Sequence, residues 1–227
     1  MNDKSTSDSS LNTDFSNKNN LFFNRNNSKE DSYSNLSGCF ESQQTIKLFL
    51  KKCDDFDKYI SSYIYNLEVN ERVEKIIYIF ARIFNSDIMV VFYILLLLYQ
   101  SIFNQNYFFI VKPLIHVFIV YVLTGILKYS FQRPRPEINE NVIRRYNIRK
   151  NENNFSNPSG DSMQAANFAI IAYYYFNGNY IGFILLPFVM FSRIFFFCHY
   201  VFDTLVGAFV GLSVSFLATF PLKSLNI

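Results

Sequence analysis

The sequence predicts an all-α integral membrane helical bundle of five to six transmembrane helices, and three observations carry that expectation. No Asp, Glu, Lys or Arg occurs in the 31 positions from Ser162 to Ser192, well beyond the about 18 apolar residues that mark a spanning candidate. Further apolar runs flank this one, separated by short polar breaks. Three polar clusters, far apart in the chain, fall at the ends of those runs and, by the alternation of crossings, on one membrane face. With 227 residues the chain can form one domain with a sizeable core. Its 50% hydrophobic content is ordinary, so the information lies in distribution, not amount.

Residues 1–40 hold nine Asn and nine Ser with isolated aromatics. Such a segment cannot bury enough apolar area to offset the entropy of ordering, and is expected to be a disordered tail. The segment 41–70 reads as an amphipathic or interfacial helix, with Leu48, Leu50, Phe56, Ile60, Tyr63 and Ile64 set among Lys and Asp. A soluble helix against the bundle fits equally. The membrane domain is expected at 71–222. Its first stretch, Glu71 to Phe84, leaves two readings open: a tilted span beginning near Val73, or a surface helix that stops at Asn85-Ser86-Asp87.

Met89 to Phe103 is a continuous apolar run closed by Asn104-Gln105-Asn106. Tyr107 to Leu127 comes next; Lys112 can snorkel to the interface, and His116 is expected to be buried, hydrogen-bonded and structural. Phe131 to Asp161 is polar, holds three prolines and belongs outside the hydrocarbon. Met163 to Phe176 and Tyr180 to Phe197 form an antiparallel hairpin about the turn Asn177-Gly178-Asn179. Tyr200 to Phe220 is the last run.

Several classes are excluded. The net charge is only +3, and no stripe of Lys and Arg suggests nucleic acid. Cys39, Cys53 and Cys198 are scattered, so neither a disulfide framework nor a metal site is expected. Residues 1–20 show no secretory signal.

The polar clusters carry the chemistry. Lys128 to Pro136 reads KYSFQRPRP, with Lys128 at a helix end and Arg135 seven positions later. Arg offers a planar fork for phosphate oxygens and Lys a mobile point charge, although headgroup anchoring would explain the pair in isolation. Pro158-Ser159-Gly160-Asp161 opens the next apolar run. Ser159 or Asp161 can cap that helix, and its free N–H groups make an anion site. Ser192 to Asp203 reads SRIFFFCHYVFD; His199 and Asp203, four apart, share a helix face. A carboxylate there can fix the imidazole tautomer while the other ring nitrogen faces a substrate. A satisfied histidine beside a capping aspartate is the structural alternative.

Together, Lys128 with Arg135-Pro136, Pro158-Ser159-Gly160, and Ser192-Arg193 with His199 and Asp203 resemble the three signature motifs of the type 2 phosphatidic acid phosphatase family, which includes lipid phosphate phosphatases and vanadium haloperoxidases. The likeness covers roughly residues 88–220. It implies a six-helix core and hydrolysis of phosphomonoesters or diphosphates with no metal or other cofactor. His199 would attack phosphorus and form a phosphohistidine, and Asp203 would orient it. Lys128, Arg135, Arg193, Ser159 and the Gly160 N–H would hold the phosphoryl oxygens.

Asp161 departs from the pattern, which has a proton-donating His there. A carboxyl of ordinary pKa, about 3.9, is ionised at neutral pH and cannot donate. Either Asp161 is protonated by its surroundings, or it orients Arg or water, or the substrate leaves unaided, as a lipid diphosphate does. The implied function is hydrolysis of a lipid phosphate or diphosphate, with two alternatives: a lipid phosphotransferase and a non-catalytic phospholipid-binding protein. The expected partners are the bilayer and a lipid phosphate or polyprenyl diphosphate, with no nucleic acid. The expected location is the endoplasmic reticulum or another internal membrane, with the plasma membrane open.

Overall fold

The structure is a computed structural model that describes residues 44–85, 88–89, 91–92, 94–95, 98–99, 108–139, 141–175, 178 and 180–224. The predicted tail at 1–40 and much of the predicted span Met89–Phe103 lie outside the described residues. The chain divides into two units, Met1–Asp55 and Phe56–Ile227. In the first, residues 44–55 are helical.

The second unit is all-helical among its described residues. It opens with α1, residues 56–65, followed by α2 (Glu71–Ile83), α3 (Phe108–Phe131), α4 (Gly160–Tyr175), α5 (Ile181–Phe195) and α6 (Val201–Ser224). Residues at 88–99 that are described are also helical. The long connection from α3 to α4 holds one 3₁₀ turn, Arg149–Asn151. The stretches Pro113–Phe131 of α3 and Val201–Thr219 of α6 are long and apolar enough to cross a bilayer.

α2 covers most of Glu71–Phe84, the stretch for which the sequence leaves two readings open. The Asn70 side chain accepts the Val73 N–H at 2.9 Å and starts it, and it ends at Ile83. Thirteen residues at about 1.5 Å each cover about 20 Å, short of a bilayer core of about 30 Å. It is a short helix whose Ile77 and Ala81 are buried, and it packs on α5.

α4 lies at the centre and packs most extensively on α6, then on α5 and α3. Its buried Ala165, Ala166, Ala169 and Ala172 let neighbouring backbones come close, the usual device where apolar surfaces have no water to escape. Gly207 of α6 shows how close: a Cβ there would lie 2.5 Å from the Ser159 carbonyl oxygen.

α1 is turned inside out. Its polar Asp57 and Ser61, with Tyr65, sit at successive i, i+4 positions and are buried, while Phe56, Tyr59 and Tyr63 are more than half exposed. The loop from α3 to α4 is fastened beside it. Arg144 donates to the carbonyls of Leu67 and Tyr65 at 2.8 and 2.7 Å, satisfying orphan acceptors at the end of α1. Buried Glu74 accepts the backbone N–H groups of Arg145 and Tyr146.

His116 is buried in α3, as expected, with the Asn167 side chain of α4 as its hydrogen-bonding neighbour. Cys198 is buried and its thiol lies 3.6 Å from the Phe196 carbonyl oxygen.

Candidate active site

The junction between α5 and α6 is built to hold one residue. α5 ends in a Schellman turn: the Cys198 N–H donates to the Arg193 carbonyl at 3.0 Å and the Phe197 N–H to that of Ile194 at 2.9 Å. The left-handed position of such a turn usually falls to Gly, but here it is Phe197, with φ 58°. That conformation costs an L-residue about 1–2 kcal/mol. The Phe197 ring is buried and stacks on Tyr65 at 4.8 Å, a contact worth about 0.5–1.5 kcal/mol beyond burial. The turn presents His199.

α1 grips both His199 and the start of α6. The Tyr65 hydroxyl donates to the His199 carbonyl at 3.1 Å. Ser61 Oγ accepts the Val201 N–H at 3.0 Å, and Asp57 Oδ1 accepts that of Phe202 at 2.9 Å. These are first-turn donors of α6 that have no partner within their own helix. Asp203 reaches back to the Tyr200 N–H at 2.9 Å, one half of a capping box.

Asp203 is fully buried and shares Arg133 with Asp57: the guanidinium Nη1 lies 2.6 Å from Asp203 Oδ1 and 2.7 Å from Asp57 Oδ2. The Ser156 hydroxyl donates to Asp203 as well. His199 Nδ1 stands 3.9 Å from Asp203 Oδ2, beyond hydrogen-bond range, and the Ser156 backbone is a hydrogen-bonding neighbour of the ring. Geometry of this kind tightens in substrate complexes elsewhere. Burial and the cations Arg135, Lys128 and Arg193 push the His199 pKa well below the ordinary value. The imidazole is therefore neutral, the form with a free lone pair.

Opposite the imidazole lie the cations. A cavity of about 410 Å³ is lined by Lys128, Glu152, Asn154, Gly160, Asp161, Arg193 and His199, with Tyr121, Val122, Thr124 and Gly125 of α3 as a further wall. Arg135 flanks it, with Nη1 3.5 Å from His199 Nε2 and 2.7 Å from the Cys198 carbonyl oxygen. Lys128 Nζ donates to Asn154 Oδ1 at 3.0 Å. Glu152 bridges the two arginines: Oε2 accepts Arg135 Nη2 at 2.8 Å and Oε1 accepts Arg193 Nη2. Burial would raise the Glu152 pKa, but Arg193 and Arg135 outweigh it and hold the carboxyl below the ordinary range. Asp161 Oδ2 lies 2.8 Å from Arg193 Nε.

Seven of the eight residues singled out from the sequence (Lys128, Arg135, Gly160, Asp161, Arg193, His199 and Asp203) converge here. Ser159 is the exception. It is fully buried, its Oγ accepts from the N–H and hydroxyl of Ser162, and it does not line the cavity. It caps α4. Sequence reasoning missed Asp57, Arg133, Glu152, Asn154 and Ser156. Only the i, i+4, i+8 stripe of Asp57, Ser61 and Tyr65 offered a signal.

A membrane-type helical bundle, with three remote segments closing on one cationic cavity, defines the class. Residues 109–221 match the model of the PAP2 superfamily, and the chain belongs to that family. Two solved structures share its fold. The transmembrane PAP2-type phosphatidylglycerolphosphate phosphatase from Bacillus subtilis superposes with a TM-score of 0.64 at 20% identity, covering 76% of this chain and 87% of that one. LpxE of Aquifex aeolicus gives a TM-score of 0.56 at 21% identity, covering 71% and 93%. No curated protein sequence matches the chain.

Proposed function

We propose that the protein hydrolyses a lipid phosphate or lipid diphosphate, without a metal, through a phosphohistidine on His199. One observation carries this reading: Lys128 and Arg135 of one segment and Arg193 of another, remote one are drawn to the neighbourhood of a single neutral imidazole. Clustered buried cations repel one another, and an anionic ligand gives the cluster a purpose. Family membership and the shared fold support the reading, as does the phosphatase activity named for one structural neighbour.

In this mechanism His199 Nε2, on the Arg135 side of the ring, attacks phosphorus as the bond to the lipid oxygen breaks. Nδ1 keeps its proton and closes on Asp203 as the ring becomes cationic. Lys128, Arg135, Arg193 and the Gly160 N–H take up charge on the phosphoryl oxygens. Water then attacks the phosphohistidine, and inorganic phosphate and neutral His199 result. The α3 wall beside the cavity offers apolar surface to the tail of an amphiphile. Burial raises the Asp161 pKa above the ordinary carboxylate value despite the pull of Arg193. With Oδ2 held 2.8 Å from Arg193 Nε, the carboxyl is committed to the guanidinium and not to the leaving oxygen. A diphosphate, whose leaving phosphate needs little help, is the favoured substrate.

The test uses purified protein in detergent with EDTA, offered phosphatidate, a sphingoid phosphate and a polyprenyl diphosphate. Phosphate release is expected from at least one of them, with an acid-labile, alkali-stable phosphoprotein after rapid quenching. The His199→Ala form should lose both signals, by at least about 10³-fold in rate. Release that persists undiminished in that variant defeats the mechanism.

A further inference from the structure

The Glu152 carboxylate stands between the two guanidinium groups that the proposed mechanism assigns to substrate. Each of its oxygens serves one arginine: Oε2 meets Arg135 and Oε1 meets Arg193. Arg135 is also the residue beside His199 Nε2, so a ligand seated on both arginines lies next to the nucleophile. Glu152 lines the same cavity as His199 and Lys128. It comes directly after the 3₁₀ turn Arg149–Asn151, and its own carbonyl accepts the Arg149 guanidinium at 2.6 Å. That bond holds its backbone independently of where the carboxylate points. Its side chain keeps 18% exposure, against 2% for each of its partners. The carboxylate is thus the member of the trio nearest to water.

We infer that Glu152 is a specificity-determining residue, a carboxylate that a substrate phosphoryl group must displace from Arg135 and Arg193. The inference rests on the phosphate-binding reading of the cavity and adds a consequence for substrate class. A phosphodiester carries one negative charge, as the carboxylate does, so exchanging one for the other between the same two cations gains little. A terminal phosphate carries close to two charges at neutral pH and gains from the exchange. Bulk phospholipids with diester headgroups are therefore turned away, while terminal phosphates and diphosphates enter. Asp161 contacts one guanidinium, that of Arg193, and not two.

The test compares two soluble probes, inorganic phosphate and the monoanionic diester dimethyl phosphate, binding to the full-length protein in detergent at constant pH and salt. The wild type should bind phosphate and show at least tenfold weaker binding of dimethyl phosphate. Glu152→Gln should bind both, with dimethyl phosphate gaining at least tenfold and the discrimination shrinking. Glu152→Asp keeps the charge and should keep most of the discrimination, which separates the electrostatic role from damage to the loop. Thermal melting of each variant checks folding. If wild type binds phosphate but the ratio of the two affinities is the same in Glu152→Gln, the inference is wrong and the phosphate site stands. If wild type binds phosphate no better than an Arg135→Ala, Arg193→Ala double variant does, the phosphate site itself falls and the inference with it.

Discussion

The two halves of the site are held by different means. On the imidazole side, His199 and Asp203 are fixed by backbone donors and acceptors: the Schellman turn, the Tyr65 hydroxyl and the Asp57 and Ser61 caps. Nearly every group there is buried and already paired. On the phosphate side, Lys128, Arg135, Arg193, Glu152 and Asp161 are held largely by one another's charge. Directional bonds in a dry setting set position closely, whereas charges can exchange partners when a ligand arrives. The comparison separates a part that must not move from a part that must.

The separation can be broken in three ways. The largest effect is expected from Asp161→His, on the phosphate side, which replaces an ion-paired carboxylate with a potential acid. Turnover of phosphomonoesters should rise relative to diphosphates by about 10²-fold, the lower range for a positioned general acid, with little change in melting temperature. An unchanged ratio in steady-state assays would sink the leaving-group argument. Next comes Asp57→Ala, on the imidazole side. It strips Arg133 of one partner and the Phe202 N–H of its acceptor, and should cost about 3 kcal/mol in denaturant unfolding. That is the low end for a broken buried pair, since Arg133 retains Asp203. Turnover should fall while phosphate affinity holds; loss of affinity with turnover preserved would contradict the division.

The smallest effect is a shift in pH dependence in Arg135→Gln, which touches both halves and also lowers the level of kcat/KM by removing a phosphate-binding cation. Burial and the neighbouring cations favour the neutral imidazole, so the acid limb of the pH profile lies below the ordinary histidine value of about 6.5. Taking away the Arg135 charge makes protonation easier and moves that limb upward. The pH dependence of kcat/KM reads it, and a downward move would show the sign to be wrong.

What could be read in the sequence divides along similar lines. Lys128, Arg135, Asp161, Arg193, His199 and Asp203 stand out because charged and polar groups are costly beside long apolar runs, and Gly160 because it opens a helix whose free N–H groups suit an anion. The helix starts and stops of α3 to α6 were legible to within a few residues. Glu152 and Asn154 were not, since a polar loop rich in Asn and Arg hides two side chains that fold back. Asp57 was missed for another reason. Its partner Phe202 is 145 positions away, and an amphipathic helix was read by its apolar face. That face points outward here, so the polar stripe is the part that packs. Ser159 lies off the cavity wall, where its oxygen accepts from Ser162 and caps its own helix.

The inside-out helix carries a practical lesson for anyone cutting this protein down. The stretch that defines the family begins at residue 109, and a recombinant fragment trimmed to it discards Asp57, Ser61 and Tyr65 altogether. Such a fragment would retain every motif residue yet leave the reactive imidazole on an unbuttressed corner. Its silence in an assay would reflect the place of the cut, not the chemistry of the enzyme.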